Sequence, residues 1–157
     1  MTRRLDSTTI LLGLALVLAA VLLLGRPHAQ TRFRADPKLT PGALNAAVTP
    51  TTLAQTVCIP GWTATIRPPT EYTNHLKTVQ LAQYGFPGPP AGYQEDHFIS
   101  LGLGGNPTDP RNLWPEPWPR ARAVDTIERD LHDQLCRGRL RLAEVQRRIA
   151  TLKWTGG

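Results

Sequence analysis

The sequence predicts an α+β fold: one β-hairpin with helices before and after it, behind an N-terminal hydrophobic segment and a linker. Three observations lead there. The 157 residues are enough for one domain of ordinary size and exclude a multi-domain enzyme. Two extended runs, Tyr93 to Leu103 and Arg111 to Trp114, flank a stretch of chain breakers that includes Gly104, Gly105, Pro107 and Pro110. Downstream, Val124, Ile127, Leu131 and Leu135, and then Leu142, Val145, Ile149 and Leu152, recur at helical spacing. With 19% charged and 41% hydrophobic residues, the chain is not disordered throughout.

The elements follow in order. Ile10 to Leu24 is an unbroken apolar run, preceded by Arg3 and Arg4 and set in an uncharged stretch from Ser7 to Gly25. A basic start before such a run marks residues 1–29 as a signal peptide or a retained signal anchor, so the remainder is expected to be exported. Contact with a membrane is expected through this segment alone. Residues 30–55, punctuated by Pro37, Pro41 and Pro50 without sustained periodicity, read as a Pro-rich flexible linker. The folded domain is expected over 56–157. Within it, Val57 to Ile66 reads as extended chain around a Pro60-Gly61 turn. Thr73 to Tyr84 reads as a helix stopped by Gly85, and Pro119 to Cys136 as a second with proline in its first turn. Gly138 separates that helix from a last one, Leu140 to Leu152.

Charge and cysteines narrow the function. The chain carries 18 Lys+Arg against 12 Asp+Glu, a formal +6. Loss of residues 1–29 still leaves the remainder positive, a balance that suits a polyanion without specifying one. Cys58 and Cys136 are the two cysteines, so a CxxC zinc ribbon or redox centre is excluded. In an oxidising compartment the two are expected to pair, and closing so long a loop stabilises a fold by about 4.5 kcal/mol on the chain-entropy model.

The segment that carries chemistry is Glu95-Asp96-His97-Phe98-Ile99-Ser100-Leu101-Gly102-Leu103-Gly104-Gly105, followed by Asn112-Leu113-Trp114. Adjacent side chains on a strand face opposite ways, so Asp96 and His97 share a site only if the chain is locally twisted. In its order of Asp-His, apolar pair, Gly-Gly and Asn-Leu, this segment resembles the HNH (His-Asn-His) nucleases of the ββα-metal fold, over roughly residues 93–136. Cys58-Ile59-Pro60-Gly61 and Arg67-Pro68-Pro69-Thr70-Glu71-Tyr72-Thr73-Asn74 resemble segments that precede the motif in a small exported bacterial branch of that family.

The resemblance implies a metal-dependent endonuclease acting on DNA or RNA. His97 would be the general base that activates water, and Asn112 would lock the hairpin loop and aim it. Asp96 would hold a divalent cation, Mg²⁺ with Mn²⁺ or Zn²⁺ as alternatives. The family's third element, a His or Asn early in the following helix, has no counterpart at the usual distance. The helix offers Asp125, Glu128 and His132 on one face instead. Asp125 is the expected second ligand, with His132 behind it. Arg111, Arg120 and Arg122 are expected at the phosphate backbone, while most of Trp62, Trp114, Trp118 and Trp154 should fill the core. Nucleic acid is the expected partner, and no protein partner is implied. A rival expectation is a non-catalytic exported binding domain that keeps the fold without a competent metal site.

Overall fold

The computed structural model describes residues 33–156. The segment expected to direct export lies outside the described residues. Among those described, no helix is long and apolar enough to cross a membrane. The order of elements is α1 (Trp62–Ile66), α2 (Thr70–Tyr84), β1 (Tyr93–His97), β2 (Leu113–Pro117), α3 (Trp118–Cys136) and α4 (Leu142–Thr155), joined by short 3₁₀ turns.

The α+β arrangement with a single hairpin is as expected, and its sequence causes are local. Strands β1 and β2 pair antiparallel with Tyr93 opposite Pro117 and His97 opposite Leu113. Pro115 and Pro117 are tolerated because a two-stranded sheet leaves the outer edge of β2 without a ladder partner. The first strand is shorter than the extended run suggested. It ends at His97, and the chain folds back through a 3₁₀ turn at Leu101–Leu103. Helix α2 starts directly after Pro69 and stops at Gly85, which takes the left-handed conformation at φ 62°. Helix α3 begins immediately after β2, with Pro119 in its first turn.

Helices α2 and α3 both pack on the hairpin, and α4 packs on α3. Phe98, Leu103, Trp114, Val145 and Ile149 form the fully enclosed centre of the core. Ile127, expected on the inner stripe of α3, is instead exposed.

Two further sequence expectations need correction. The described part of the linker is a strap packed on the domain. Ala35 and Thr40 are fully buried. The backbone N–H of Ala35 donates to Lys153 O (3.0 Å), that of Gly42 to Arg111 O (3.0 Å), and that of Asn45 to Gly104 O (2.9 Å). A strap needs only scattered small anchors and backbone hydrogen bonds, neither of which leaves a periodic signal. Residues 57–66 are likewise not extended. Gly61 turns the chain at φ 83° and α1 follows until Pro68 forbids it. The expected disulfide is formed: Cys58 and Cys136 are bonded with Cα atoms 5.5 Å apart, tying the approach to α1 to the end of α3.

Candidate active site at the end of the hairpin

Asn112 organises the loop between the strands. It is fully buried, and its Oδ1 accepts from Ile99 N (2.9 Å). Its Nδ2 donates to Ile99 O (3.0 Å) and Asn106 O (2.9 Å). The Gly-Gly pair is explained by the same contact. A Cβ on Gly105 would lie 1.7 Å from Ile99 O and 2.7 Å from Asn112 Nδ2, so only glycine fits beneath the asparagine. Gly104 turns the chain at φ 83°. Asn106 Oδ1 accepts from the N–H groups of Thr108 and Asp109, closing the far side of the loop.

That loop delivers the carbonyl of Pro107 to His97, whose Nε2 lies 3.0 Å away. A carbonyl only accepts, so Nε2 carries the proton and the neutral ring keeps its lone pair on Nδ1. Burial holds the imidazole below its ordinary pKa. Asp96 opposes the shift, and the Arg67 guanidinium adds to it. His97 is therefore a neutral base near pH 7, with its tautomer set by the loop.

Asp96 faces the other way, as strand alternation requires. It shares its side of β1 with Gln94, whose Nε2 donates to Asp96 Oδ1 (3.0 Å). There it meets the ammonium of Lys153 from α4, which is fully buried. Lys153 Nζ also donates to His97 O (2.8 Å), lies 2.8 Å from Glu128 Oε1 of α3, and is 3.8 Å from Glu116 Oε2 of β2. Glu116 is fully buried and pairs with Arg120 Nε at 2.8 Å.

One ammonium cannot balance three carboxylates, and the titration reflects that. Burial pushes Glu116 up to about 9 and Glu128 to about 7, with Lys153 opposing in both cases. Burial also opposes the ionised form of Asp96, yet the Lys153 ammonium holds that carboxyl below the usual carboxylate range. The three carboxylates in turn raise Lys153. A cleft of about 370 Å³ opens beside this cluster, with Arg67, Gly102, Asp125, Glu128, Arg129 and His132 among its lining.

The expected site residues are thus only partly brought together. Asp96 and the polar face of α3 do converge on one cation, but the α3 residue that reaches it is Glu128, and the cation is Lys153. Asp125 is exposed in the cleft near Glu128. His132 places Nε2 2.8 Å from Val57 O and 3.6 Å from Cys136 Sγ, which ties it to the disulfide region. Arg120 is used internally: besides Glu116, its guanidinium donates to Gly156 O (2.7 Å) and Leu152 O (3.2 Å), capping α4. Arg111 is exposed and paired with Asp109 at 2.6 Å. Arg122 lies over the exposed ring of Trp118 at 6.0 Å, while Trp114 is fully buried and Trp62 and Trp154 pack against the core.

No family model, curated protein or solved structure matches the chain. The geometry therefore stands alone.

The divalent cation implied by the resemblance can be tested on the donors present. Asp96, Glu116 and Glu128 supply hard oxygen ligands of the kind Mg²⁺ takes. Their common point is filled by the Lys153 ammonium, and no group of three His, Cys, Asp or Glu side chains among the described residues is arranged to hold a metal ion. The set as arranged does not fit a divalent ion.

Three residues of this centre were legible only in outline. Lys153 continues the stripe Leu142, Val145, Ile149 by four positions, but it reads as part of the basic crowd at the chain's end. Glu116 alternates inward with Trp114 on β2. Arg67 was noted only within its proline motif.

Proposed function

We propose that the chain is an exported phosphodiester hydrolase of HNH type acting on DNA or RNA, with His97 as its general base. The observation that carries the reading is the pinned imidazole. Pro107 O fixes the proton on Nε2, Asn112 fixes the loop that holds Pro107, and burial keeps the ring neutral. A base needs that combination: a defined lone pair and a pKa below the working pH.

In this reading His97 Nδ1 takes a proton from water as the water oxygen bonds to phosphorus. The ester P–O bond breaks, and the departing oxygen takes a proton from solvent. Arg67, whose guanidinium acts on the His97 ring and also lines the cleft, neutralises the phosphate oxygens, a task suited to a guanidinium fork. No step is assigned to a metal ion. Export rests on the basic and apolar character of residues 1–29 and agrees with the disulfide, which persists in oxidising compartments.

The test is incubation of the purified chain with plasmid DNA and with RNA, in Mg²⁺ and in chelator, beside His97→Ala. Cleavage lost by at least about 10²-fold in the variant supports the reading. Cleavage equal in both proteins refutes it.

A second reading is favoured by one observation. Lys153 fills the point where the resemblance places a catalytic metal, and a domain that had given up catalysis would tolerate that. Nucleic acid retained by the chain without any cleavage selects this reading.

A further inference from the structure

We propose that Lys153 is the resident cation of the hairpin–helix centre, and that its ammonium closes the centre to divalent metal. The inference rests on the geometry of Asp96, Glu116, Glu128 and Lys153, and holds whether or not the chain cleaves nucleic acid.

An ammonium has three N–H donors. Lys153 donates to Asp96 Oδ2 and to His97 O, the latter at 2.8 Å, and its charge lies 2.8 Å from Glu128 Oε1, so β1 and α3 enclose it. The remaining carboxylate, Glu116, is fully buried, and neither of its oxygens accepts a hydrogen bond. Its nearest cations are Arg120 at 2.8 Å and Lys153 at 3.8 Å. Three carboxylates and a backbone carbonyl thus surround one positive atom, an oxygen cage in which the cation is part of the chain.

A divalent ion cannot join it. Mg²⁺ needs its oxygens at about 2.0–2.1 Å, and a metal placed there would sit on top of the Nζ atom and its charge. Nor can Lys153 readily swing out. Its side chain has no exposed surface, and α4 is held at both faces: Val145 and Ile149 pack fully into the core, and Arg120 caps the carbonyls of Leu152 and Gly156. The strap also holds the backbone of α4 at this position, with Ala35 N donating to Lys153 O.

The centre therefore joins hairpin, α3 and α4 through an internal ion. Removing the ammonium should expose a latent oxygen site made by Asp96, Glu128 and the His97 carbonyl. The experiment is a Mn²⁺ titration of the full chain in detergent, followed by loss of the free Mn²⁺ paramagnetic resonance signal. Wild type, Asp96→Asn, Lys153→Met and the Lys153→Met/Asp96→Asn double variant are compared. Wild type and Asp96→Asn should give superimposable curves. Lys153→Met should gain one site with a Kd of roughly 10⁻⁴ M or tighter, the range of simple carboxylate sites, and the double variant should lose it.

If Lys153→Met does not fold in chelator, recovery of its circular dichroism on adding Mn²⁺ supports the proposal, and failure to recover counts against it. A wild-type site that disappears in Asp96→Asn overturns the proposal, as does a folded Lys153→Met that binds no more Mn²⁺ than wild type. Cleavage is not read, so the fate of the hydrolase reading is decided separately.

Discussion

Two buried residues on one side of β1 titrate in opposite senses, and each gives a prediction. His97 is held below its ordinary pKa by burial, so its neutral form persists as pH falls past the usual histidine midpoint. The acid limb of any His97-dependent rate therefore lies below pH 6.5. Glu95 behaves in the reverse way. Both of its carboxylate oxygens lack a hydrogen-bond partner, and burial pushes it up to about 8 against the pull of Lys77. For an acid whose folded pKa is raised, the native state holds the extra proton. Stability is then fullest below the unfolded value near 4.5 and declines as pH rises through about 8. Glu95→Gln should accordingly melt higher than wild type at pH 8.5, by at least about 5 °C, with the gap narrowing towards pH 5. A gap that is the same at both pH values would contradict the assignment.

The loop and the last helix show what local patterns can and cannot reveal. The role of Asn112 was readable only through the resemblance, and the structure supplies its reason: the glycine makes room for the asparagine, and the asparagine satisfies Ile99. Asn112→Ala should cost about 3 kcal/mol in denaturant unfolding, because Ile99 N–H and C=O lose their side-chain partner in a buried loop. Gly105→Ala should be worse still, since the new methyl meets a backbone carbonyl rather than a movable side chain. Lys153 was not readable. Helical spacing reports which face a residue occupies but not which charges lie opposite, and those come from β1, β2 and α3, between 25 and 57 positions away in sequence. The choice between Asp125 and Glu128 failed for a related reason. Both lie on the same polar face, and a difference of under one turn decided which carboxylate reached Lys153.

For the molecule as a whole, the α+β class and the order hairpin-then-helix followed from breakers and periodicity, whereas the strap did not. Residues 33–55 bind through backbone groups, a few buried side chains and the ring of Phe33 against Phe86 and Tyr93, scattered anchors that composition disguises as a tether. The disulfide closes the domain across this arrangement. Cys58→Ser/Cys136→Ser should lower unfolding free energy by about 4.5 kcal/mol if chain entropy dominates. Reductant should shift the wild-type midpoint and leave the variant's unmoved. The central claim is that hydrolysis runs through the His97 imidazole. It is tested most directly by the initial rate of nucleic-acid cleavage across pH 5 to 8, measured for wild type and His97→Ala in parallel. The account predicts a wild-type rate at least about 10²-fold above the variant, with an acid limb below pH 6.5. A rate the variant matches, or binding with no strand scission at any pH, would contradict it.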